Sequence, residues 1–247
     1  MNTELVGCEI LHLEETDSTN TEIKELARQK KLPEGFCLYT DYQRLGRGQY
    51  GKQWQSPKGQ NLLMSVYLLP SFLPAEESYR LTMSVCLALL DLGKHLGFES
   101  QIKWPNDWYY GQEKIAGVLM EGNLQAGTLQ SCIIGMGVNV KQRSFGLLNA
   151  SSLERIVDHE LDMKQIRERL CECLDQRYRQ LRLGFKEKQA EEFNASLMGL
   201  KGQSFRWKDQ ELKGKVLSAE ADGELRIEFE SGEIRKFRHR EIDFIFD

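Results

Sequence analysis

The sequence lacks the features that mark metal-stapled, secreted and membrane-spanning proteins. Its six cysteines form no C-x-x-C pair, and no histidine stands near them at zinc-finger spacing. The start of the chain has no signal-peptide pattern. The most apolar stretch, Leu81 to Leu92, contains Thr82, Ser84 and Asp91 and is too short to span a bilayer. We therefore expect no metal staple and no membrane segment, and a reducing cytoplasm is the expected compartment.

An excess of positive charge is also missing. The 247 residues include 33 Lys and Arg against 37 Asp and Glu, which leaves a net charge of −4, and neither half of the chain is basic. Proteins that bind nucleic acid or anionic lipid usually carry a strong positive footprint. We therefore expect no DNA partner and no membrane partner. With 40% hydrophobic residues, the chain is expected to form an ordinary globular core.

Hydrophobic periodicity predicts a mixture of helices and strands over the first 198 residues. The polar run 17–20 precedes apolar residues at helical spacing, which predicts a capped helix that ends near Lys31. The other predicted elements are strands at 35–40 and 61–69, a core helix at 76–96, a turn at 103–107, a hairpin of strands 115–121 and 128–140, and a helical segment at 163–198 interrupted near Gly184.

The period of the hydrophobic pattern changes after the helical segment. From Ser204 onward apolar residues alternate with polar ones, and turns are indicated at Asp222-Gly223 and Ser231-Gly232. Short alternating strands after a helical region predict a second, small antiparallel barrel. The expected domains are therefore residues 1–198 and residues 199–247.

The glycine-rich loop, residues 46–54 (GRGQYGKQW), is the most distinctive segment. It matches G-x-G-x-x-G in letters, but Ser56-Pro57 follows it in place of the helix that a dinucleotide fold requires. It also lacks the Ser or Thr of a P-loop, because position 53 is Gln. Its glycines let a ligand approach the backbone, while Arg47 and Lys52 offer positive charge and Trp54 a stacking plane, which suits a phosphate and an aromatic base. The alternative is a flexible hairpin loop.

Three further segments favour a binding site, and each has a structural alternative. Asp107 and Lys114 offer a ligand for Mg²⁺ and a cation for a carboxylate or phosphate, or else form a surface ion pair. Gly135-x-Gly137-x-Asn139 lets a ligand or another backbone come close, or else forms a bulge in a core strand. Ser18-Thr19-Asn20 offers hydroxyl and amide groups at a helix N-terminus, where plain capping explains one of the three.

Taken in order, these segments closely resemble the motifs of the biotin protein ligases. The resemblance covers roughly residues 10–140 and rests on Asp17-Ser18-Thr19-Asn20, Gln43-x-x-Gly46-Arg47-Gly48, Trp54-x-Ser56-Pro57, Lys103-Trp104-Pro105-Asn106-Asp107, Lys114-x-Ala116-Gly117 and Gly135-x-Gly137-x-Asn139. It implies an α+β fold, in which a mixed β-sheet with flanking helices forms the catalytic domain and a small SH3-like β-barrel follows it.

The resemblance also implies a two-step reaction. Biotin and ATP form biotinyl-5′-adenylate and pyrophosphate, and a lysine on the biotin carboxyl carrier domain of acetyl-CoA carboxylase or another carboxylase then attacks the mixed anhydride. ATP and Mg²⁺ are the implied cofactors, and biotin is the substrate. Cations that neutralise the two reacting anions supply much of the catalysis in such a step. Family members are monomers or homodimers, and the sequence leaves this choice open.

The motif positions imply a role for each site residue. Arg47, Lys114 and Asp107 are the implied catalytic residues, and Asp107 either binds the metal or accepts the proton of the incoming lysine. Ser18, Thr19 and Gln43 are implied at the biotin ureido ring, and Trp54 and Asn139 at the adenylate. The full set of implied binding residues is Ser18, Thr19, Asn20, Gln43, Gly46, Arg47, Gly48, Gln49, Trp54, Lys114, Gly117, Gly135 and Asn139.

Two departures from the family pattern affect the expected function. Many members have Gly-Arg-Gly-Arg, whereas Gln49 has no charge to hold the adenylate phosphate or to brace the closed loop. We expect either weaker retention of the adenylate or compensation by Lys52. The motif at Asp17 also follows only 16 residues, so the expected form is one that lacks the N-terminal DNA-binding domain of some members.

Two other functions are compatible with parts of this pattern. A lipoate or octanoyl transferase shares the implied architecture of the catalytic domain, but its motif set differs from the one found here. A non-catalytic biotin or nucleotide sensor would keep the pocket, but it would have no need of Arg47, Asp107 and Lys114 together. Biotin ligation is therefore the predicted function.

Overall fold

The computed structural model describes residues 3–146 and 148–246, which form two β-sheets and five α-helices. The strands are β1 (Ile10–Leu13), β2 (Cys37–Thr40), β3 (Asn61–Leu68), β4 (Gln101–Lys103), β5 (Asp107–Tyr110), β6 (Glu113–Gln125), β7 (Thr128–Asn139), β8 (Gln203–Trp207), β9 (Gln210–Ala219), β10 (Leu225–Phe229), β11 (Ile234–Phe237) and β12 (Asp243–Ile245). The helices are α1 (Thr19–Gln29), α2 (Tyr79–His95), α3 (Leu153–Val157), α4 (Met163–Arg182) and α5 (Lys186–Ala195).

The larger sheet has seven strands in the order β1-β2-β3-β7-β6-β5-β4. Strands β1 and β2 run parallel and the other neighbours are antiparallel, so the sheet is mixed, as the family resemblance implied. Successive side chains of a strand point to opposite faces. On β2, Leu38 packs with Ile23 of α1, whereas Cys37 belongs to the main core on the other face. Helices therefore flank both faces of this sheet.

Helix α2 lies at the centre of the main core. Almost every residue from Arg80 to Gly93 is buried, as expected for a helix enclosed by other elements. Arg177 of α4 joins α2 to α5, because it pairs with both Asp91 (2.6 Å) and Glu192 (2.5 Å). Within residues 3–146 and 148–246, no helix is long and apolar enough to cross a membrane.

The C-terminal part is a five-stranded antiparallel sheet in the order β11-β10-β9-β8-β12. Leu225, Ile227 and Phe229 are buried along β10 and alternate with half-buried residues, as the sequence pattern predicted. The smaller sheet contacts the larger one, since Trp104 Nε1 donates a hydrogen bond to the Gly223 carbonyl (3.1 Å). The SH3-like character of this sheet and a domain boundary after residue 198 stay predictions.

Most elements predicted from periodicity are confirmed, with ends displaced by a few residues. The helical segment 163–198 is interrupted as expected, because Gly184 has a φ of +91° between α4 and α5. The prediction of a turn at 103–107 is only partly correct, since its first and last residues belong to β4 and β5. Strands β1 and β4 and helix α3 are too short to produce a clear period, and the sequence did not predict them.

Asp175 of α4 fastens the N-terminal segment to the main core. Its buried carboxylate accepts hydrogen bonds from the backbone N–H groups of Leu5 (2.9 Å) and Val6 (2.8 Å). We expect Asp175→Ala to lower the free energy of unfolding by about 3 kcal/mol, because these groups lose a charged acceptor. Urea denaturation measures the change. Asp175→Asn keeps one acceptor oxygen and should lose less, and equal losses in the two variants would contradict the argument.

Candidate functional site

A cavity of about 1050 Å³ opens on the face of the large sheet that carries α1. Along β7, Ile133 is covered by α1, whereas Gly135 and Gly137 lie on the same face and have no side chain to fill it. The glycine-rich loop and the segment 239–244 of the C-terminal sheet border the cavity. The predicted site residues that line it are Ser18, Thr19, Asn20, Gln43, Arg47, Gly48, Gln49, Trp54, Asp107, Lys114, Gly117, Gly135 and Asn139.

A chain of hydrogen bonds lies at the N-terminus of α1. The backbone N–H and the hydroxyl of Thr19 donate to Gln43 Oε1 at 2.8 and 3.1 Å. Ser65 of β3, which sequence reasoning missed, lies 2.6 Å from both Thr19 Oγ1 and Asn20 Oδ1. Ser18 is the N-cap residue, but its side chain makes no capping hydrogen bond. Capping therefore does not account for the Ser18 side chain, and Ser18 is one of the residues that line the cavity.

Glycine at position 135 accommodates the side chain of Asn20. A Cβ atom at Gly135 would overlap Asn20 Oδ1 and would lie 3.1 Å from its Cγ. The pairing of β3 with β7 and of β6 with β7 runs through Gly135 and Gly137 without a shift of register. The alternative of a strand bulge is therefore wrong, and the two glycines serve close approach by side chains of this same chain.

Glu121 of β6 is a site residue that sequence reasoning missed. Its Oε2 accepts hydrogen bonds from Asn20 Nδ2 (2.7 Å) and from the guanidinium of Arg47 (2.8 Å). One carboxylate thus connects α1 with the glycine-rich loop. No local pattern marks this role, because the two partners lie 101 and 74 residues away along the chain.

The glycine-rich loop folds back on itself as a short hairpin. Arg47 and Gln53 form an antiparallel bridge, and the Trp54 N–H donates to the Gly46 carbonyl (2.9 Å). A Cβ atom at Gly46 would overlap the Trp54 carbonyl oxygen. Gly46 is therefore a shape-determining residue of the loop and does not itself line the cavity.

The indole of Trp54 lies against two glycines that face each other on neighbouring strands, Gly117 of β6 and Gly137 of β7. A Cβ atom at Gly137 would lie 2.6 Å from Trp54 Nε1, and one at Gly117 would lie 3.1 Å from Cζ3. Trp54 Nε1 is buried and has no hydrogen-bond partner among the described residues. A buried donor without an acceptor is costly, so this N–H is well suited to an acceptor on a ligand.

Lys114 and Asp107 form an ion pair inside the cavity. Lys114 Nζ lies 2.7 Å from Asp107 Oδ1, and the two side chains are 30% and 26% exposed. The ammonium also lies 5.7 Å from the centre of the Trp54 ring, within the range of a cation–π contact. The sequence left open whether Asp107 and Lys114 form an ion pair or belong to a binding site. The structure shows the ion pair and places it in the candidate site.

Asn139 supports the floor of the cavity through its amide. Its Nδ2 donates to the Ser151 carbonyl (3.1 Å) and, more weakly, to the Lys114 carbonyl (3.4 Å). These bonds hold the start of β6 beside the segment 149–151. The contact of Asn139 with an adenylate stays a prediction.

The side chains around Asp107 do not form a metal cage. In the part of the chain that the structure describes, no group of three or more His, Cys, Asp or Glu residues is placed to hold a metal ion. The Asp107 carboxylate already pairs with Lys114. Mg²⁺ usually binds one or two carboxylates together with substrate phosphates and water, so Asp107 fits such a site only together with a bound nucleotide. The metal role of Asp107 stays a prediction.

Lys103 is a second cation of the cavity, and the C-terminal sheet closes over it. Its Nζ lies 4.9 Å from the ring centre of Phe246 and 5.7 Å from that of Phe244. Burial lowers the pKa of Lys103, and the negative charge of Asp107 opposes this shift. Sequence reasoning assigned Lys103 only to a motif, since two of the aromatic residues that surround it, Phe244 and Phe246, lie in the C-terminal part of the chain.

The side chains follow a fixed order along β7: the polar cluster of Asn20 over Gly135, and then Trp54 and Lys114 over Gly137 and Gly117. The cavity therefore carries polar groups at Gly135 and a cation beside an aromatic ring at Gly117 and Gly137. The family model of the biotin/lipoate A/B protein ligases matches residues 13–139, just over half of the chain. The chain belongs to this family.

Similar proteins include the bifunctional ligase/repressor BirA of Bacillus subtilis, which is 29% identical over 72% of this chain and 56% of its own length. The biotin–[acetyl-CoA-carboxylase] ligase of Paracoccus denitrificans is 35% identical over 52% of this chain and 53% of its own. This chain thus spans about half the length of these relatives. A biotin protein ligase from Aquifex aeolicus, in complex with biotin and ATP, has a TM-score of 0.80 at 23% identity and covers 97% of this chain and 100% of its own. At that identity the likeness shows the fold.

Proposed function

We propose that this chain is an ATP-dependent biotin protein ligase. In the first step, a carboxylate oxygen of biotin attacks the α-phosphorus of ATP, and the bond from that phosphorus to the bridging oxygen breaks, which yields biotinyl-5′-AMP and pyrophosphate. In the second step, a lysine amine of a biotin carboxyl carrier domain attacks the acyl carbon, AMP leaves, and the amine gives up a proton. The observation that carries the proposal is the order of the polar cluster, Lys114 and Trp54 along one cavity.

The first step brings two anions together, so it requires cations that neutralise both and hold them in line. Lys114 is proposed to contact the biotin carboxylate and the α-phosphate, because its ammonium lies in the cavity beside Trp54. Asp107 holds that ammonium through the 2.7 Å ion pair. Arg47 is proposed to reach the phosphates from the glycine-rich loop, in exchange for its pair with Glu121.

The two ends of the cavity are proposed to bind the two ends of the intermediate. Ser18, Thr19 and Gln43 offer the hydroxyl and amide groups that a neutral ureido ring requires. Gly48 and Gln49 border the cavity in the loop that covers it. The unpaired indole N–H of Trp54 and its ring suit the adenylate.

Similarity to named relatives supports the proposed substrates. The Paracoccus denitrificans relative is named for acetyl-CoA carboxylase, which supports a carboxyl carrier domain as the partner. The Aquifex aeolicus structure contains biotin and ATP, which supports both as substrates. A requirement for Mg²⁺, an SH3-like form of the C-terminal sheet, a domain boundary after residue 198, a monomeric or homodimeric state and a location in the cytoplasm complete the proposal.

Transfer of labelled biotin to a purified carrier domain tests the proposed reaction. We expect label on the carrier only when ATP is present, and a second series with and without Mg²⁺ tests the metal requirement. Pyrophosphate release with biotin or with lipoate distinguishes the two acids of the family. Release with lipoate and not with biotin would assign the other activity, and biotin binding without release would indicate a sensor. No transfer under any condition would falsify the proposal.

Glu121→Ala is expected to raise the KM for biotin about tenfold, because Asn20 loses the acceptor that orients its amide. Glu121→Gln keeps an acceptor oxygen for Asn20 but loses the charge that pairs with Arg47. We therefore expect the glutamine variant to raise this KM less than threefold. Steady-state pyrophosphate release measures both values. Equal effects would show that the charge, and not the hydrogen bond to Asn20, determines biotin binding.

A further inference from the structure

The tip of the glycine-rich loop contacts the C-terminal sheet. The guanidinium carbon of Arg240 lies 3.9 Å from the centre of the Tyr50 ring. The ring of His239 lies 5.0 Å from that of Tyr50 on one side and 5.7 Å from that of Trp104 on the other, edge-on at 83°. Trp104 is buried and anchored to the C-terminal sheet. Tyr50 therefore packs on a surface that both sheets build, although 59% of the residue is exposed.

Both sides of this contact adopt backbone conformations that residues other than glycine rarely adopt. The φ of Tyr50 is +54° and that of Arg240 is +75°. Such conformations persist only where the surrounding structure holds them, and they cluster at ligand clamps and switch regions. The turn that carries Arg240 is held by two hydrogen bonds between Arg238 and Glu241, at 2.7 and 3.0 Å. The turn thus presents His239 and Arg240 to the loop on a defined backbone.

Gln49 and Lys52, the two residues considered from the sequence for stabilising the closed loop, form no side-chain hydrogen bond or ion pair with the described residues of the C-terminal sheet. Within residues 3–146 and 148–246, neither the Gln49 side chain nor the Lys52 ammonium has a hydrogen-bond or ion-pair partner. Lys52 contributes through its backbone, since its carbonyl accepts from the Gly48 N–H (2.7 Å). The contact between the loop and the C-terminal sheet is made by Tyr50, which lies between them.

We infer that Tyr50, His239 and Arg240 form a clasp that holds the glycine-rich loop over the cavity, and that this clasp determines how long the acyl-adenylate stays bound. His239 and Arg240 line the same cavity as the site residues, so the clasp lies at its mouth. The inference rests on the proposed function, because a reactive mixed anhydride must be retained between its formation and its transfer. Tyr50 and Arg240 are positioning residues, since they act through the loop.

A double-mutant cycle on Tyr50 and Arg240 tests the clasp with two measurements. The variants are Tyr50→Leu, Arg240→Gln and the double variant, and the matched control is Arg206→Gln, since Arg206 is exposed on the same C-terminal sheet. The first measurement is the rate at which a lysine-specific protease cuts the ligand-free chain at Lys52. The second is the rate at which preformed biotinyl-adenylate dissociates in the absence of a carrier domain.

Each single variant is expected to raise both rates about two- to fivefold, in line with the strength of a solvent-exposed cation–π contact. The double variant should be no faster than Tyr50→Leu, because that substitution already removes the contact with Arg240. Arg240→Lys keeps a cation over the Tyr50 ring and should retain slow dissociation. Arg206→Gln should match the unmodified chain.

Three results would overturn the inference. Unchanged cleavage at Lys52 would show that the contact does not hold the loop, and additive effects would show that the two residues act separately. Faster cleavage at Lys52 with unchanged dissociation of biotinyl-adenylate would show that the clasp holds the loop but does not retain the adenylate. If the unmodified chain forms no adenylate, the proposed function fails and the retention role fails with it, whereas cleavage at Lys52 still decides whether Tyr50 and Arg240 hold the loop.

Discussion

Replacement of Lys114 by glutamine is expected to reduce kcat/KM for adenylate formation on the order of a thousandfold, about 4 kcal/mol of transition-state stabilisation. The amide keeps much of the length of the side chain but removes the positive charge between the carboxylate and the phosphate. It also leaves the Asp107 carboxylate without the partner at 2.7 Å, so that an unpaired negative charge faces two anions. Pyrophosphate release with biotin and ATP measures the loss.

Lys94→Gln is the matched control, because Lys94 is exposed at the end of α2, away from the cavity lining. It should retain full activity. Asp107→Asn separates orientation of Lys114 from acceptance of the incoming lysine's proton, which is one of the two roles that the resemblance implies for that carboxylate. If Asp107 only orients Lys114, the asparagine variant slows adenylate formation; if Asp107 accepts the proton of the incoming lysine, the variant slows transfer from preformed adenylate. Activity of Lys114→Gln within tenfold of the unmodified chain would contradict the role of Lys114.

Alanine at Gly137 and alanine at Gly135 are expected to damage opposite ends of the site. The new methyl group at position 137 overlaps the Trp54 indole, and that at position 135 overlaps the Asn20 amide. A displacement of about 1 Å at such a contact reduces activity roughly a hundredfold. We therefore expect Gly137→Ala to raise the KM for ATP and Gly135→Ala to raise the KM for biotin. Steady-state kinetics with each substrate varied in turn measures both.

Gly117→Ala provides a graded control for the glycine pair. A methyl group at position 117 lies 3.1 Å from Trp54 Cζ3, a closer fit than usual but not an overlap. Its effect on the KM for ATP should be smaller than that of Gly137→Ala. Urea denaturation of all three variants shows whether stability is preserved. A parallel rise of both KM values in each variant would contradict the assignment of Asn20 and Trp54 to separate ends of the ligand.

The elements that could be predicted from the sequence are those with a sustained period. Helix α2 and the β6–β7 hairpin are long enough for apolar residues to repeat several times, so their approximate positions follow from local pattern. The four residues of β1 (ILHL) do not alternate regularly between apolar and polar, and their pairing with β2 depends on a partner 27 residues away in register. A pattern that short carries no information about its neighbour.

The residues of the candidate site likewise fall into two groups: those that a local motif indicates and those that only contacts between distant segments bring together. Motifs that occupy a few consecutive residues, such as Ser18-Thr19-Asn20 and Lys114-x-Ala116-Gly117, can be recognised in the sequence. Ser18, Thr19, Asn20, Lys114 and Gly117 line one cavity. Glu121 and Ser65 belong to no such motif. Their partners lie in other elements, and only the register of β3, β6 and β7 brings them together.

By itself, the sequence determined the mixed helix-and-strand organisation and the alternating C-terminal strands, because each depends on a period within a short segment. Through the family resemblance, it also indicated most of the residues that line the cavity. Only the tertiary structure decided that Glu121 joins Asn20 to Arg47, that Trp54 lies over two facing glycines, and that Arg240 meets the tip of the glycine-rich loop. The physical reason is that these contacts join residues about 60 to 190 positions apart. Strand register and the packing of the two sheets set their distances, and neither leaves a trace in local spacing.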